Sequence, residues 1–432
     1  MNSKLNKEII KFGLPAIAEN FLQMLVGIID IFLVSRLGLS AVSGVSLASN
    51  IIVVFQAIFI ALGAIVSGIV ARQLAEKNNL LSHSIKSALK LTLYISGFIG
   101  LLCLVFSREM VELMGASSQT KNMASEYLFL VGSFIVFLGL ATTFGSILRA
   151  YGDTKTPMYA SLYANFINIG LSALAIFVLG WGVVGVALSA VIARFFSTGY
   201  LYIKLYKKDV CFGFRGLIKQ RIDKELIKQA LPATAERLVM RVGDLLIIVL
   251  IISFGDAIFA GNAIGESIMQ FNFIPAFGMA TATVVLVAKE YGTKSMTDKI
   301  NALTWRIYFL TLVMVLVVAL PLFIFSRGLS GMFTGDSQAI SASQIVLFFS
   351  LLTVPFAVGT TNYTAALQGI GRARIPFYAT TVGMFGLRLT LGYLFGHILG
   401  LGLEGVWMAV MADNFFRFIY LKLKFNRLIN VQ

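Results

Sequence analysis

Apolar residues run in long stretches along almost the whole chain, broken by short polar loops rich in Gly, Asn, Asp and Lys. The stretches lie near 13–35, 49–71, 87–106, 123–147, 157–180, 183–204, 230–254, 266–288, 303–326, 342–366, 376–399 and 402–421. A helix needs about 20 apolar residues to cross the hydrocarbon core of a bilayer. The pattern therefore predicts an all-α polytopic membrane protein with about twelve transmembrane helices. The segment from Arg108 to Lys121 is too polar to span and is expected at the outer surface. Asp223 to Gln229 reads as an amphipathic cytoplasmic helix leading into the seventh span.

The chain is also an internal repeat. Residues 13–78 align with 230–295 without a gap at an offset of 217, placing Leu14, Pro15, Ala16, Ala18 and Glu19 on Leu231, Pro232, Ala233, Ala235 and Glu236. Gly38 and Gly44 fall on Gly255 and Gly261. The offset is 219 where Leu148, Gly152, Pro157, Tyr159 and Ala160 match Leu367, Gly371, Pro376, Tyr378 and Ala379. It is 220 where Gly185, Phe195 and Phe196 match Gly405, Phe415 and Phe416. The predicted organisation is an N-terminal six-helix lobe over 1–205, a basic cytoplasmic linker over 206–229 and a C-terminal six-helix lobe over 230–432. Six is even, so both lobes enter the membrane with the same orientation. That predicts a pseudo-two-fold axis along the membrane normal, the arrangement of a transporter with its site between repeats.

Composition agrees with the pattern. Of 432 residues, 58% are hydrophobic and 13% are charged, against about 25% charged in soluble domains. The net charge of +15 would suit nucleic acid, but its distribution points elsewhere. Alternate loops hold the lysines and arginines: Lys4, Lys7 and Lys11; Arg72, Lys77 and Lys86; Arg149 and Lys155; the linker; Lys289, Lys294 and Lys299; Arg372 and Arg374; Lys422, Lys424 and Arg427. The opposite loops hold only Arg36, Arg108, Lys121 and Arg327. Positive charge stays inside, so both termini are expected on the cytoplasmic side of the cell membrane, with anionic lipid and not nucleic acid as the basic surface's neighbour. The basic start, Met1 to Lys11, reads as a retained cytoplasmic cap. Cys103 and Cys211 are far apart and are expected as thiols. With only His83 and His397, no histidine-based metal site is expected, nor any cofactor. No nucleotide-binding, metalloprotease or hydrolase motif occurs, so the chain is not expected to be an enzyme.

An ionisable residue inside a span costs about 2.5–3.5 kcal/mol at the helix centre and marks a candidate site. Asp30 is the sharpest case, flanked by Gly27, Ile28, Ile29, Ile31 and Phe32 with no basic residue at i±3 or i±4. A carboxyl there can carry a proton, and its ionised oxygens suit a sodium ion. Glu19 and Glu236 are repeat mates near the cytoplasmic end, which points to a shared structural role. The seventh span holds Glu236, Arg237, Arg241 and Asp244. Their spacing predicts local pairing of Arg241 with Asp244, and of Glu236 with Arg241 around the turn. Arg388, Asp413 and Arg417 are expected to form a second static network, and Arg194 a structural contact. Pro15 and Pro232 fit the first turn of a helix, while Pro275, Pro321 and Pro355 sit where they can kink one. A minority of the 36 Phe and 15 Met could line a soft apolar cavity.

These residues carry a resemblance. Pro15 followed by Asp30 and Arg36–Leu37–Gly38, the turn from Leu148 to Pro157 with its weaker copy from Leu367 to Pro376, Asn168–Ile169, and Gly180–Trp181–Gly182–Val183–Val184–Gly185 occur in order on two six-span halves. The chain resembles the multidrug and toxic compound extrusion (MATE) family over essentially its whole length. The resemblance implies two six-helix lobes around a V-shaped cavity, and export of cationic amphipathic small molecules in exchange for protons or sodium ions. It implies Asp30 as the coupling residue, with Asn168 beside it. Where the family often has an aspartate one turn later, this chain has Ser172, and the third coupling position is assigned to it. Asn50, Gln56, Tyr127, Glu236, Arg241 and Asp244 are candidate cavity residues. A monomer is expected. The alternative is a lipid-linked precursor flippase of the same superfamily, which would use Arg237, Arg241 and Arg388 for pyrophosphate. An intramembrane enzyme lacks a catalytic dyad.

Overall fold

The computed structural model describes residues 2–115, 117–208 and 221–430; Cys211 lies outside them. The helices are α1 (Asn2–Ser35), α2 (Leu39–Glu76), α3 (Leu81–Leu113), α4 (Ser118–Ser133), α5 (Val136–Ala150), α6 (Lys155–Phe177), α7 (Gly182–Tyr206), α8 (Lys224–Ile252), α9 (Asp256–Gly292), α10 (Thr297–Ile324), α11 (Ser326–Gly331), α12 (Ser337–Gly369), α13 (Arg374–Thr381), α14 (Thr390–Tyr393) and α15 (Gly402–Asn430). Between α13 and α14, and again after α14, the helix widens into π-helical segments, Val382–Leu389 and Leu394–Ile398. No strand occurs among the described residues. Helices are what the bilayer demands, because each satisfies its backbone polar groups internally. Eight are long and apolar enough to cross a membrane singly, and the α4–α5 pair makes a ninth if it is one bent span. Each of the twelve predicted runs falls on a helix or a contiguous helical stretch, except 123–147, which covers parts of α4 and α5. The chain is an all-α polytopic membrane protein.

Three predictions need correction. The run 123–147 is not one helix: α4 and α5 meet at a 46° bend. The break follows Gly132–Ser133, a pair of the kind at which helices kink sharply. The run 376–399 is helical but carries the two π segments. Pro15 and Pro232 are not in first turns; both lie inside longer helices. Each helix starts further upstream than its apolar run, and the proline gives up one internal hydrogen bond.

The chain packs as two compact units. One comprises Ala18–Ala230, and the other joins residues up to Ile17 with those from Leu231 on. The unit boundaries thus fall inside α1 and α8, close after Pro15 and beside Pro232. The first unit is built on Val34, Ala48, Phe59, Cys103, Leu128, Ile135 and Val186, all buried; Cys103 is a buried free thiol. In the second unit, α9 and α12 pack closely, because a Cβ on Gly265 would stand only 2.6 Å from that of Val346. Small residues let membrane helices approach in this way. α8 is N-capped by Asp223, whose Oδ1 accepts from the Glu225 amide at 2.9 Å.

The repeat extends to individual backbone angles. Gly38 and Gly255 precede α2 and α9 with φ of 105° and 108°, a conformation only glycine adopts readily. Lys77 and Lys294, also mates, both turn left-handed with φ of 52°. The change of offset from 219 to 220 has a structural cause as well. A π turn holds one more residue than an α turn, and the first π segment lies between the two registers.

Candidate functional site

In the first unit, α1 carries Asp30 and α6 carries Asn168 and Ser172, one turn apart. Asn168 Nδ2 donates to Asp30 Oδ1 at 2.8 Å. Asn168 is 5% exposed and Ser172 is fully buried. The structure therefore brings Asn168 against Asp30, whereas Ser172, one turn further along α6, is hydrogen-bonded to neither. Asn168 Oδ1, Ser172 Oγ and Arg194 Nη1 are buried atoms without a hydrogen-bond partner among the described residues. Tyr127, from α4, is buried and hydrogen-bonded to Ser49. The charge of Arg194, from α7, reaches both Asp30 and Tyr127, although Arg194 forms no ion pair with Asp30. Asn50 is exposed and Gln56 half-buried on α2, and neither joins the hydrogen bonds around Asp30. The carboxylate, amide and hydroxyl oxygens suit a proton or a hard cation. Among the described residues, no three His, Cys, Asp or Glu side chains stand together as a metal site.

Sequence reasoning assigned Arg194 a structural role and did not connect it with Asp30. The signal was available: a lone arginine in an apolar run needs a partner, and Asp30 lacked one.

Elsewhere in this unit, Glu19 accepts from Arg149 Nη1 at 3.1 Å, and Arg149 also donates to Ser146 Oγ at 3.2 Å. Glu236, the mate of Glu19, is 4% exposed. It accepts from Gln368 Nε2 at 3.4 Å and Thr380 Oγ1 at 3.3 Å. At an offset of 219, Gln368 is the mate of Arg149. The same position in both repeats thus grips the same glutamate, once with an arginine and once with a neutral amide. In the second unit the charges of Arg237 and Arg417 act on Glu236 through space.

Neither predicted local pair of α8 forms. Arg241 is exposed, and Asp244 instead accepts from Arg388 Nη1 at 3.2 Å. Helical spacing offers Asp244 a neighbour, but a guanidinium from the first π segment is better placed. The expected network of Arg388, Asp413 and Arg417 is present. Arg388 Nε donates to Asp413 Oδ2 at 2.9 Å. Arg417 Nε and Nη2 donate to the two Asp413 oxygens at 2.8 and 2.7 Å, the bidentate fork that suits guanidinium and carboxylate. Asp413 is fully buried. Glu266, on α9, was missed by sequence reasoning. It accepts from Asn262 Nδ2 at 3.2 Å, while Asn262 Oδ1 accepts from Trp407 Nε1 at 3.0 Å.

A family model, MatE, matches residues 15–174 and 232–394. The chain is 28% identical over 427 residues to "Probable multidrug resistance protein NorM" of Thermotoga maritima, covering 96% of this chain and 90% of that protein. It is 24% identical to the multidrug export protein MepA of Staphylococcus haemolyticus, covering 96% and 92%. Its fold matches that of a multidrug resistance MATE family transporter of the MOP superfamily solved in an outward-facing conformation. The TM-score is 0.90 at 23% identity, over 99% of this chain and 96% of that one. A crystal structure of a MATE transporter in the bent conformation gives a TM-score of 0.88, also at 23% identity and the same coverage. The duplicated match, with one copy on each six-helix half, accounts for the repeat, and this chain belongs to the MatE family.

Proposed function

We propose that this chain exports cationic amphipathic compounds across the cell membrane by alternating access, in exchange for inward protons or sodium ions, with Asp30 as the coupling residue. The observation that carries the reading is the Asn168–Asp30 hydrogen bond beside buried polar atoms that have no other partner. Ionised Asp30 accepts from Asn168. Neutralisation by a cation weakens that bond, frees the amide and alters how α1 and α6 are held together. Drug and coupling cation then favour different states, and each shifts the balance by its differential affinity. The names of relatives such as MepA support drug export. The basic loops support cytoplasmic termini, and a monomer suffices because both repeats lie in one chain. The flippase reading loses one of its three arginines, since Arg388 is bonded to Asp244 and Asp413.

The test is ethidium uptake into inside-out vesicles under imposed proton and sodium gradients separately, comparing wild type with Asp30→Asn. Gradient-driven uptake should fall to the leak rate in the variant, and the effective gradient names the ion. Unchanged uptake in Asp30→Asn removes Asp30 from coupling; no uptake by wild type under either gradient favours the flippase.

A further inference from the structure

The two repeats place related charges differently. Asp30 falls on Ile247 at an offset of 217, and Asp244 stands three residues before it on the same helical face. Arg388 lies within the first π segment, between the 219 and 220 registers, and at an offset of 220 it is the mate of Asn168. The Asp30–Asn168 bond between α1 and α6 therefore has a counterpart in the Asp244–Arg388 bond between α8 and the π segment. In one repeat the carboxylate meets a neutral amide; in the other it meets a guanidinium.

We propose that Arg388 permanently occupies the second unit's counterpart of the Asp30 site, as a cation tethered to the chain in place of a mobile one. This rests on the coupling role proposed for Asp30. The charge balance supports it. Arg417 forks onto both Asp413 oxygens and Arg388 bridges Asp413 and Asp244, so two guanidiniums face two carboxylates and Asp244 is offset only with Arg388 in place. The side chain of Arg388 is 12% exposed and that of Asp244 is 42% exposed, so the carboxylate faces outward and the guanidinium closes it from within. Arg241, Arg417, Asp413 and Arg388 all act on Asp244, and Glu266 lies within reach of its charge. Arg388 cannot lose its proton, so this site stays filled through the cycle. One cation per drug follows, handled at Asp30 alone. The site is cryptic: with Asn at 388, as in the first repeat, Asp244 becomes an acceptor for a proton or a small monovalent cation.

The experiment counts cations released on drug binding. Tetraphenylphosphonium is added to the purified full-length protein in detergent, and released protons and sodium are read with a pH-indicator dye and a sodium electrode. Wild type should release one cation and Asp30→Asn none. Asp30→Asn with Arg388→Asn should regain one, whereas Asp30→Asn with Arg388→Lys should remain at none, because an ammonium also fills the site. If the double Asn variant aggregates, Asp244→Asn alone decides: release of one supports the proposal and loss of release overturns it. A folded double Asn variant that still releases none also overturns it. If wild type itself releases none, the coupling role of Asp30 fails. Arg388→Asn against wild type then judges the tethered cation, a gain of one supporting it and no gain refuting it.

Discussion

Replacing Asp413 with Leu should be among the most damaging single changes in the second unit. Asp413 is fully buried and accepts from two guanidiniums at 2.7–2.9 Å. Leucine fills similar space but leaves Arg417, itself 3% exposed, without a carboxylate in contact; it keeps Asn414 Oδ1 as an acceptor at 3.5 Å. Arg388 keeps Asp244 and is less affected. Breaking a buried pair by removing one partner costs about 3–5 kcal/mol, or a factor of about 150–5,000 in the folded-to-unfolded ratio. Denaturant unfolding in mixed micelles, followed by the fluorescence of buried Trp407, measures this. Removing both partners of the fork tests the cause. Asp413→Leu combined with Arg417→Met should recover most of the loss, because an apolar pair of similar volume commonly equals a buried ion pair. A single-variant loss below about 1 kcal/mol, the level of an exposed pair, refutes the argument. So does a double variant no more stable than the single.

Two smaller effects follow from the ends of helices. Asp336 caps α12, its Oδ1 accepting from the amides of Gln338 and Ala339 at 2.8 and 3.0 Å; Asp336→Ala should cost about 1 kcal/mol in the same unfolding assay. Asp153 in the α5–α6 turn is shifted by competing causes. Burial alone would raise its carboxyl, but hydrogen bonds from Lys208 and from the amide and hydroxyl of Thr156, with the Lys208 charge, hold it below its usual value. A lowered folded value gives stability that is present above the unfolded value of about 3.9 and lost as pH falls through the folded one. Asp153→Asn should therefore destabilise at pH 7 and converge with wild type in acid; an equal difference at both pH values refutes the assignment.

The helices were legible because the bilayer imposes one period and one length, so twelve apolar runs mark twelve helical stretches. What the sequence concealed were contacts between helices. Spacing along α8 offers Arg241 to Asp244, yet the bonded guanidinium comes from residue 388, 144 positions away. The partners of Glu19 and Asp30 are similarly remote, 130 and 138 positions on. No local rule ranks such candidates, although an unpaired charge in a span announces that one exists. The π segment was legible in principle, because an offset that steps from 219 to 220 within one helix requires an extra residue there. The α4–α5 bend depended on Gly132–Ser133, a pair that many straight helices also contain.

The repeats agree in backbone and diverge in charge, and one physical cause accounts for both. Turn geometry is constrained by backbone sterics and by the need to satisfy every peptide group in lipid. Gly38 with Gly255 and Lys77 with Lys294 accordingly keep their angles to within a few degrees. A buried charge is constrained differently: it must be balanced by whatever lies near it, and any partner of suitable reach will serve. Arg149 can become Gln368 because Arg237 and Arg417 act on Glu236. Asn168 can become Arg388 because Asp244 and Asp413 receive it. On the proposed reading, one half holds a mobile cation and the other is neutralised internally, and the helix that carries the tethered cation differs from its mate by the π segment around Arg388. The proposed difference between the halves therefore lies in a few cross-helix pairs and in the π segment that carries one of them.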